Sequence, residues 1–296
     1  MLETALTNIR IVLVEPAGPL NVGSVARIMK NMDLHQLVLV NPQCDYLGEE
    51  ARLMAVRAAE ILETARVVET LPAALVGCTR AIATTGVDRS LPVQLEEPAA
   101  ALPWLLEAPS ALIFGRENNG LTNAELNYAQ RSIRIPSSDA YNSLNLAQAA
   151  AICCYEIYQA RSKKEEGERG RVGEGENGRV GELTIPNSQF PIPNSQLSTL
   201  NSQLSCAPLE NLEGYYRQLE TLLLKIGYLH PHTAASRMEK FRYLYNRAYP
   251  TVDEVAMLRG ILRQVEWAIE LRSIAPVSDT VDGALPDIPS ETEKPS

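Results

Sequence analysis

Histidine is scarce in this chain: three occur in 296 residues, beside two tryptophans and three phenylalanines. Chemistry built on a histidine base or a histidine-held metal therefore has few places to sit. The five cysteines are odd in number, Cys153 and Cys154 are adjacent, and no Cys-x-x-Cys spacing exists. That argues against a disulfide framework and a thiolate zinc site, and suits a reducing, cytoplasmic compartment. No basic flank followed by an apolar run opens the chain, and the Ala-rich stretch from Ala147 to Cys154 is too short and too polar to span a bilayer. Neither a leader nor a membrane anchor is expected. Positive charge is not in excess either. With 27 Lys and Arg against 36 Asp and Glu, net −9, a cationic coat that wraps nucleic acid over the whole surface is excluded. One local exception remains: Lys225, Arg237, Lys240, Arg242 and Arg247 face only Glu239 between positions 225 and 247, where a polyanion would feel attraction.

What is present is ordinary globular material, 45% hydrophobic and 21% charged, in a length that suits one large or two modest domains. Residues 1–161 alternate β-branched runs with helical periods. Ile9 to Val14 is a strand candidate, followed by Leu37–Val40, Arg66–Val68, Arg80–Thr84, Ala111–Phe114 and Ser132–Ile135. Asn21 offers an N-cap for a helix that buries Val22, Val25, Ala26, Met29 and Met32. This alternation predicts an α/β fold, a mostly parallel sheet with helices on both faces, and ligands at the carboxyl ends of its strands. Residues 162–206 repeat Gly-Arg-Val-Gly-Glu and Asn-Ser-Gln with little regular period, and read as a disordered linker. Residues 207–270 predict three helices, a small α-helical bundle. Their stripes run Leu209 to Ile226, then Met238, Phe241, Leu244 and Tyr245, then Val255, Leu258, Leu262, Val265 and Ile269 behind a Thr251-x-x-Glu254 capping box. Residues 271–296 are an acidic, Pro-rich tail, expected disordered.

Three loops concentrate polar and glycine residues where a parallel sheet presents its ligand edge. They are Asn21-Val-Gly-Ser-Val-Ala-Arg27, Phe114-Gly-Arg-Glu-Asn-Asn-Gly-Leu121, and Ile135-Pro136 through Asn142-Ser-Leu-Asn145. Taken singly, each reads equally as a capped helix or an ordinary βα turn. The second is neither a Walker A loop nor Gly-x-Gly-x-x-Gly. In that order and separation, the three resemble the motifs of the SPOUT RNA ribose 2′-O-methyltransferases of the TrmH/TrmJ-like branch, over about residues 8–160. The helical part, with Ile-Gly-Tyr-Leu-His-Pro and its basic run, is similar to the carboxyl extension of the TrmJ-type tRNA (cytidine/uridine-2′-O-)-methyltransferases.

The resemblance implies a trefoil-knotted sheet, a homodimer, S-adenosyl-L-methionine as methyl donor, a tRNA substrate and no metal. It implies a cofactor bed of Thr84, Thr85, Gly86, Gly115, Ile135, Asn142, Ser143, Leu144 and Asn145; Gly86 stands where relatives more often carry Ala. By the same carry-over Arg27 acts on the ribose 2′-hydroxyl, Ser143 and Asn145 position, and Asn21 and Glu117 shape the site. An arginine is a poor base, so its implied work is to orient the hydroxyl and stabilise developing oxyanion charge. The implied RNA contacts are Arg27, Lys225, Arg237, Lys240, Arg242, Tyr243 and Arg247. Phe241 and Tyr245 fall on the core stripe, and His230-Pro-His232 reads as a loop or RNA contact rather than half a metal site. The target implied by analogy is cytidine or uridine 32 of the anticodon loop. The alternatives are another tRNA position or ribosomal RNA, a non-enzymatic RNA-binding protein on the same scaffold, and a generic nucleotide-binding α/β protein.

Overall fold

A computed structural model describes residues 5–86, 95–138, 143–173 and 206–274. Seven strands form one sheet: β1 (Ile9–Val14), β2 (Gln36–Val40), β3 (Arg66–Val68), β4 (Arg80–Thr84), β5 (Leu95–Glu96), β6 (Ser110–Phe114) and β7 (Arg131–Ile133). Their order is β3-β2-β1-β6-β4-β7-β5, and every pairing between them is parallel. β1 lies between β2 and β6, with Val12 opposite Val38 on one side and Ile113 on the other.

Alternation along the strands sends side chains to two different cores. Ile9, Ile11 and Leu13 of β1 join Leu37, Leu39, Ile82, Leu112 and Phe114 on a face of bulky side chains. That face is covered by α1 (Pro19–Asn31), α2 (Glu49–Ala55), α3 (Ala59–Glu63) and α7 (Leu146–Gly173). Val12 and Val14 join Val38, Val40, Ala81, Ala83, Ala111 and Ile113 on a face of smaller ones. That second face carries α4 (Leu71–Leu75) and α8 (Leu209–Lys225), with α9 (Ala234–Asn246) and α10 (Val252–Ile274) packed behind. The short α5 (Pro98–Ala101) and α6 (Asn123–Leu126) complete the helices named here.

The carboxyl-terminal helices are therefore not a separate bundle. Leu209, Leu212, Tyr215, Tyr216, Leu219 and Leu222 of α8 sit in the same core as the strands. The seam is also tied by polar contacts: the Leu209 amide donates to the Cys78 carbonyl at 2.9 Å, and the Gly77 amide donates to the Glu210 carboxylate at 3.1 Å. The Asn246 side-chain amide donates to the Asn127 carbonyl at 2.9 Å while accepting from the Tyr216 hydroxyl at 2.8 Å. The Ala and Val of the second sheet face leave room for α8 to lie close.

Several boundaries differ from the sequence reading. α7 starts at Leu146 and continues to Gly173, beyond the expected boundary at 161, because Lys163, Lys164, Glu165 and Glu166 extend it as a charged helix with an Arg161–Glu165 pair at 2.7 Å. The rest of the expected linker, 174–205, and the tail, 275–296, lie outside the described residues. α10 runs to Ile274 rather than stopping at 270, from the foreseen capping box, in which Thr251 Oγ1 accepts from the Glu254 amide at 3.2 Å. Leu244 and Val265, assigned to core stripes, are 46% and 38% exposed. Glu96 pairs with Arg131. Cys153 and Cys154 are buried, and burial pushes both thiols up.

Candidate functional site

The loop after β6 is held closed by its own backbone. Arg116 and Gly120 exchange amide-to-carbonyl hydrogen bonds of 3.3 and 3.0 Å, and Gly120 takes a φ of +66°. A Cβ on Gly115 would stand 2.2 Å from the Gly120 carbonyl carbon, so glycine there is required by the loop's return. Gly23 has a similar cause: a Cβ would stand 2.1 Å from the Ala51 carbonyl oxygen, where α1 meets α2.

Arg116 is locked below this loop. Its Nε donates to Glu15 at 2.7 Å, and its two terminal nitrogens donate to Glu125 at 2.9 Å each. Glu125 in turn belongs to a capping box with Thr122 that starts α6. The hydrogen bonds it donates to Glu125, then to Glu15, hold the guanidinium above its ordinary value. Burial raises the Glu125 carboxyl, but Arg116 and Thr122 outweigh it and the net shift is downward. Sequence reasoning missed this triad, although Thr122-x-x-Glu125 is a legible capping signal.

A directional hydrogen-bond chain joins the three loops. The Glu117 carboxylate accepts from the amides of Ala17 and Gly18 at 3.1 and 3.0 Å and from Asn21 Nδ2 at 3.0 Å. Asn21 Oδ1 accepts from Asn145 Nδ2 at 3.0 Å, and Asn145 Oδ1 accepts from the Ala147 amide at 2.9 Å. An ionised carboxylate only accepts, so Asn21 must turn its NH2 toward Glu117 and its oxygen toward Asn145. Asn145 must then offer NH2, leaving its oxygen to cap α7, where Gln148 Oε1 returns to the Asn145 amide at 3.2 Å. Burial works against the Glu117 charge, yet Asn21 and the backbone amides hold its carboxyl below the ordinary value. The sequence reading had Asn21 as the N-cap of α1. Instead Pro19 begins the helix after Gly18, which has no side chain to cap it, and the carboxylate of Glu117 comes from another loop to accept from the Gly18 amide and to place negative charge at the helix start.

Beside this chain, at the carboxyl ends of β4, β6 and β7, opens a cleft of about 160 Å³. Thr84, Thr85 and Gly86 form one wall, Gly115 to Leu121 a second, and Ile135, Ser143 and Leu144 a third. The structure thus gathers the foreseen cofactor bed except for two members: Asn142 is outside the described residues, and Asn145 points to Asn21. Arg116 and Glu117 are the charged residues of the lining, and Arg116 is neutralised by two carboxylates. Among the described residues the cleft offers no free cation for a polyphosphate, and its apolar Ile133, Ile135 and Leu144 suit a flat ring. Thr hydroxyls, loop backbone and the Glu117 carboxylate fit a nucleoside that carries positive charge. Arg27 stands two turns along α1 from Pro19, exposed and, among the described residues, without a hydrogen-bond or ion-pair partner.

The foreseen basic surface divides in two. Arg242 is withdrawn from it: its guanidinium makes a two-pronged pair with Glu213, with one bond of 2.9 Å, and lies 4.6 Å from the Tyr216 ring and 5.2 Å from that of Tyr128. Lys225 pairs with Glu270 at 3.3 Å. Arg237, Lys240 and Arg247 are exposed at helical spacing on the outer side of α9, with Arg247 lying over the Tyr243 ring at 5.4 Å. Among the described residues no cluster of His, Cys, Asp and Glu could hold a metal ion, and no helix is long and apolar enough to cross a membrane.

Fold and cleft together define a methylase: the chain belongs to the SpoU rRNA Methylase family, whose model matches residues 8–155. Residues 210–275 match the C-terminal domain of the tRNA methyltransferase TrmJ. The chain is 35% identical over 265 residues to tRNA (cytidine/uridine-2′-O-)-methyltransferase TrmJ of Pectobacterium atrosepticum, covering 88% of this chain and 98% of the relative. It is 38% identical over 267 residues to tRNA (cytidine/uridine/adenosine-2′-O-)-methyltransferase TrmJ of Pseudomonas aeruginosa, covering 88% and 95%. Among solved structures, TrmJ from Z. mobilis ZM4 aligns with a TM-score of 0.69 at 27% identity, over 87% of this chain and 98% of that one.

Proposed function

We propose that this chain transfers a methyl group from S-adenosyl-L-methionine to a ribose 2′-hydroxyl of tRNA, at cytidine or uridine 32 of the anticodon loop. The observation that carries the reading is the chain from Glu117 through Asn21 to Asn145, which binds the three polar loops into one unit beside a cleft that, among the described residues, holds no free cation. When bound, the donor supplies an electrophilic methyl on a positively charged sulfur. The protein's work is alignment. Thr84, Thr85 and the Gly115 loop would hold the nucleoside; Ser143, exposed at the cleft rim, is placed to orient the incoming hydroxyl. Arg27 would hold the ribose and its phosphate and stabilise the charge that develops on the oxygen. Glu117, Asn21 and Asn145 act as positioning residues.

The reading includes a homodimer in the cytoplasm, with the family's knotted carboxyl end. Leu20 of α1 is 48% exposed, and Ile152 and Tyr155 of the adjacent α7 are 37% and 49% exposed, an apolar face suited to a second copy. The test is methyl transfer to unmodified tRNA from labelled donor, with mass-spectrometric mapping of the ribose methyl. Transfer to position 32 supports the reading in full. Transfer elsewhere on tRNA or ribosomal RNA replaces the site, and no transfer to any RNA refutes the activity.

A further inference from the structure

We propose that the turn between α8 and α9 is a stacking platform for unpaired nucleotides of the RNA substrate. The proposal rests on the methyl-transfer reading only for which RNA that is. The turn is pinned from both ends. The Ile226 and Gly227 amides donate to the carbonyls of Leu222 and Leu224 at 3.0 and 3.1 Å, and the Leu229 amide reaches back to Leu223 at 3.0 Å. Gly227 takes a φ of +75°, which reverses the chain. On the other side the His230 carbonyl accepts from the Thr233 and Ala234 amides at 2.9 Å each. Leu229, 1% exposed, is the plug.

With Leu229 inward, its neighbours face out. Tyr228 is 53% exposed, and His230 and His232 are exposed with their rings stacked 8° from parallel at 5.8 Å. Arg237 steadies the first of these, donating to the Tyr228 carbonyl at 3.2 Å and lying 5.8 Å from its ring. A rigid turn that presents three flat rings to water, with a guanidinium already beside one of them, offers bases a surface with little ordering cost. The charge beside it selects the partner. Arg237, Lys240 and Arg247 line the outer side of α9, and the only carboxylate in that helix, Glu239, lies off their line. Phosphates along the cations with bases on the rings is the pattern of single-stranded RNA; a duplex keeps its bases stacked on each other and unavailable.

The experiment compares full-length proteins for tRNA affinity, by fluorescence anisotropy without cofactor across a salt series, and for methyl transfer. The variants are Tyr228→Ala with His230→Ala and His232→Ala together, and His230→Phe with His232→Phe. The alanine variant is expected to weaken tRNA binding roughly tenfold or more, at an unchanged salt slope and an unchanged kcat at saturating tRNA. The phenylalanine variant should bind within about threefold of the parent, since it keeps the rings. An unpaired oligoribonucleotide should compete better than a duplex of the same length. Affinity within about twofold for the alanine variant, or an equal loss in both variants, overturns the platform. A parent protein that methylates tRNA while ignoring these substitutions sinks this inference alone. One that binds RNA through these rings yet transfers no methyl sinks the activity alone.

Discussion

The cleft and the outer side of α9 use charge in opposite ways. In the cleft, both charged groups among the described lining residues are tied down: Arg116 by Glu15 and Glu125, Glu117 by Asn21 and two amides. On α9, Arg237 keeps only a carbonyl, and Lys240 has no partner among the described residues. A locked charge costs little to reorganise and holds a neighbour at a fixed angle. A free charge attracts from a distance and tolerates many partners. The contrast teaches that one region is built for geometry and the other for capture. Arg27 is a third case, an exposed cation two turns along α1 that has no partner among the described residues.

The largest effect should come from Arg27→Ala. We expect methyl transfer to fall by about a hundredfold or more, with S-adenosylhomocysteine affinity by calorimetry within about threefold. A comparable loss of cofactor affinity would falsify its assignment to the hydroxyl. Next is removal of residues 206–296, which uncovers the Val and Ala face of the sheet. Burying six large side chains of α8 is worth about 2 kcal/mol each before the entropy of ordering, so thermal unfolding should move down by about ten degrees or more. A shortened protein that melts where the full chain does would restore the picture of an independent bundle.

Arg242→Ala separates the two kinds of arginine. It leaves Glu213 half-buried without its partner and should cost about 3 kcal/mol in denaturant unfolding, whereas Lys240→Ala should leave stability within about 0.5 kcal/mol. In a salt series, Lys240→Ala should reduce the slope of tRNA affinity by about 0.7 to 0.9. If Lys240→Ala destabilises and Arg242→Ala does not, the division of the basic surface is reversed. The smallest effect concerns acid. Glu15, Glu117 and Glu125 are held below the ordinary carboxyl value of 4.5. Their stabilisation is complete above that value and is lost as pH falls through their lowered ones. Melting between pH 5 and 3, roughly, should therefore fall less steeply in Glu117→Gln than in the parent; parallel curves would remove Glu117 from that linkage.

Much of the fold was legible. Ile9–Val14 and Arg66–Val68 are strands at the positions read from their β-branched runs, and the Thr251 capping box starts α10 where its spacing says. The three loops were legible as a set because order and residue type survive in one dimension. The errors share one cause. Asn21 looked like a cap because Asn before an apolar period usually is one; no local pattern says that its side-chain amide is instead held by a glutamate 96 positions later. Arg242 looked like its neighbours Lys240 and Arg247, and only the meeting of α9 with α8 and with the turn after α6 gives it Glu213 and two tyrosine faces.

Sequence alone determined the alternation of strand and helix, the two sheet faces of unequal side-chain size, and which polar residues stand at the strand ends. Those follow from periodicity and residue volume, which are local properties of the chain. Tertiary structure decided which charges are free and which are bound, how the two amides of Asn21 and Asn145 are turned, and that the last helices share the core of the first domain. Most of those depend on a partner more than twenty positions away, and hydrogen-bond polarity and burial exist only once that partner has arrived.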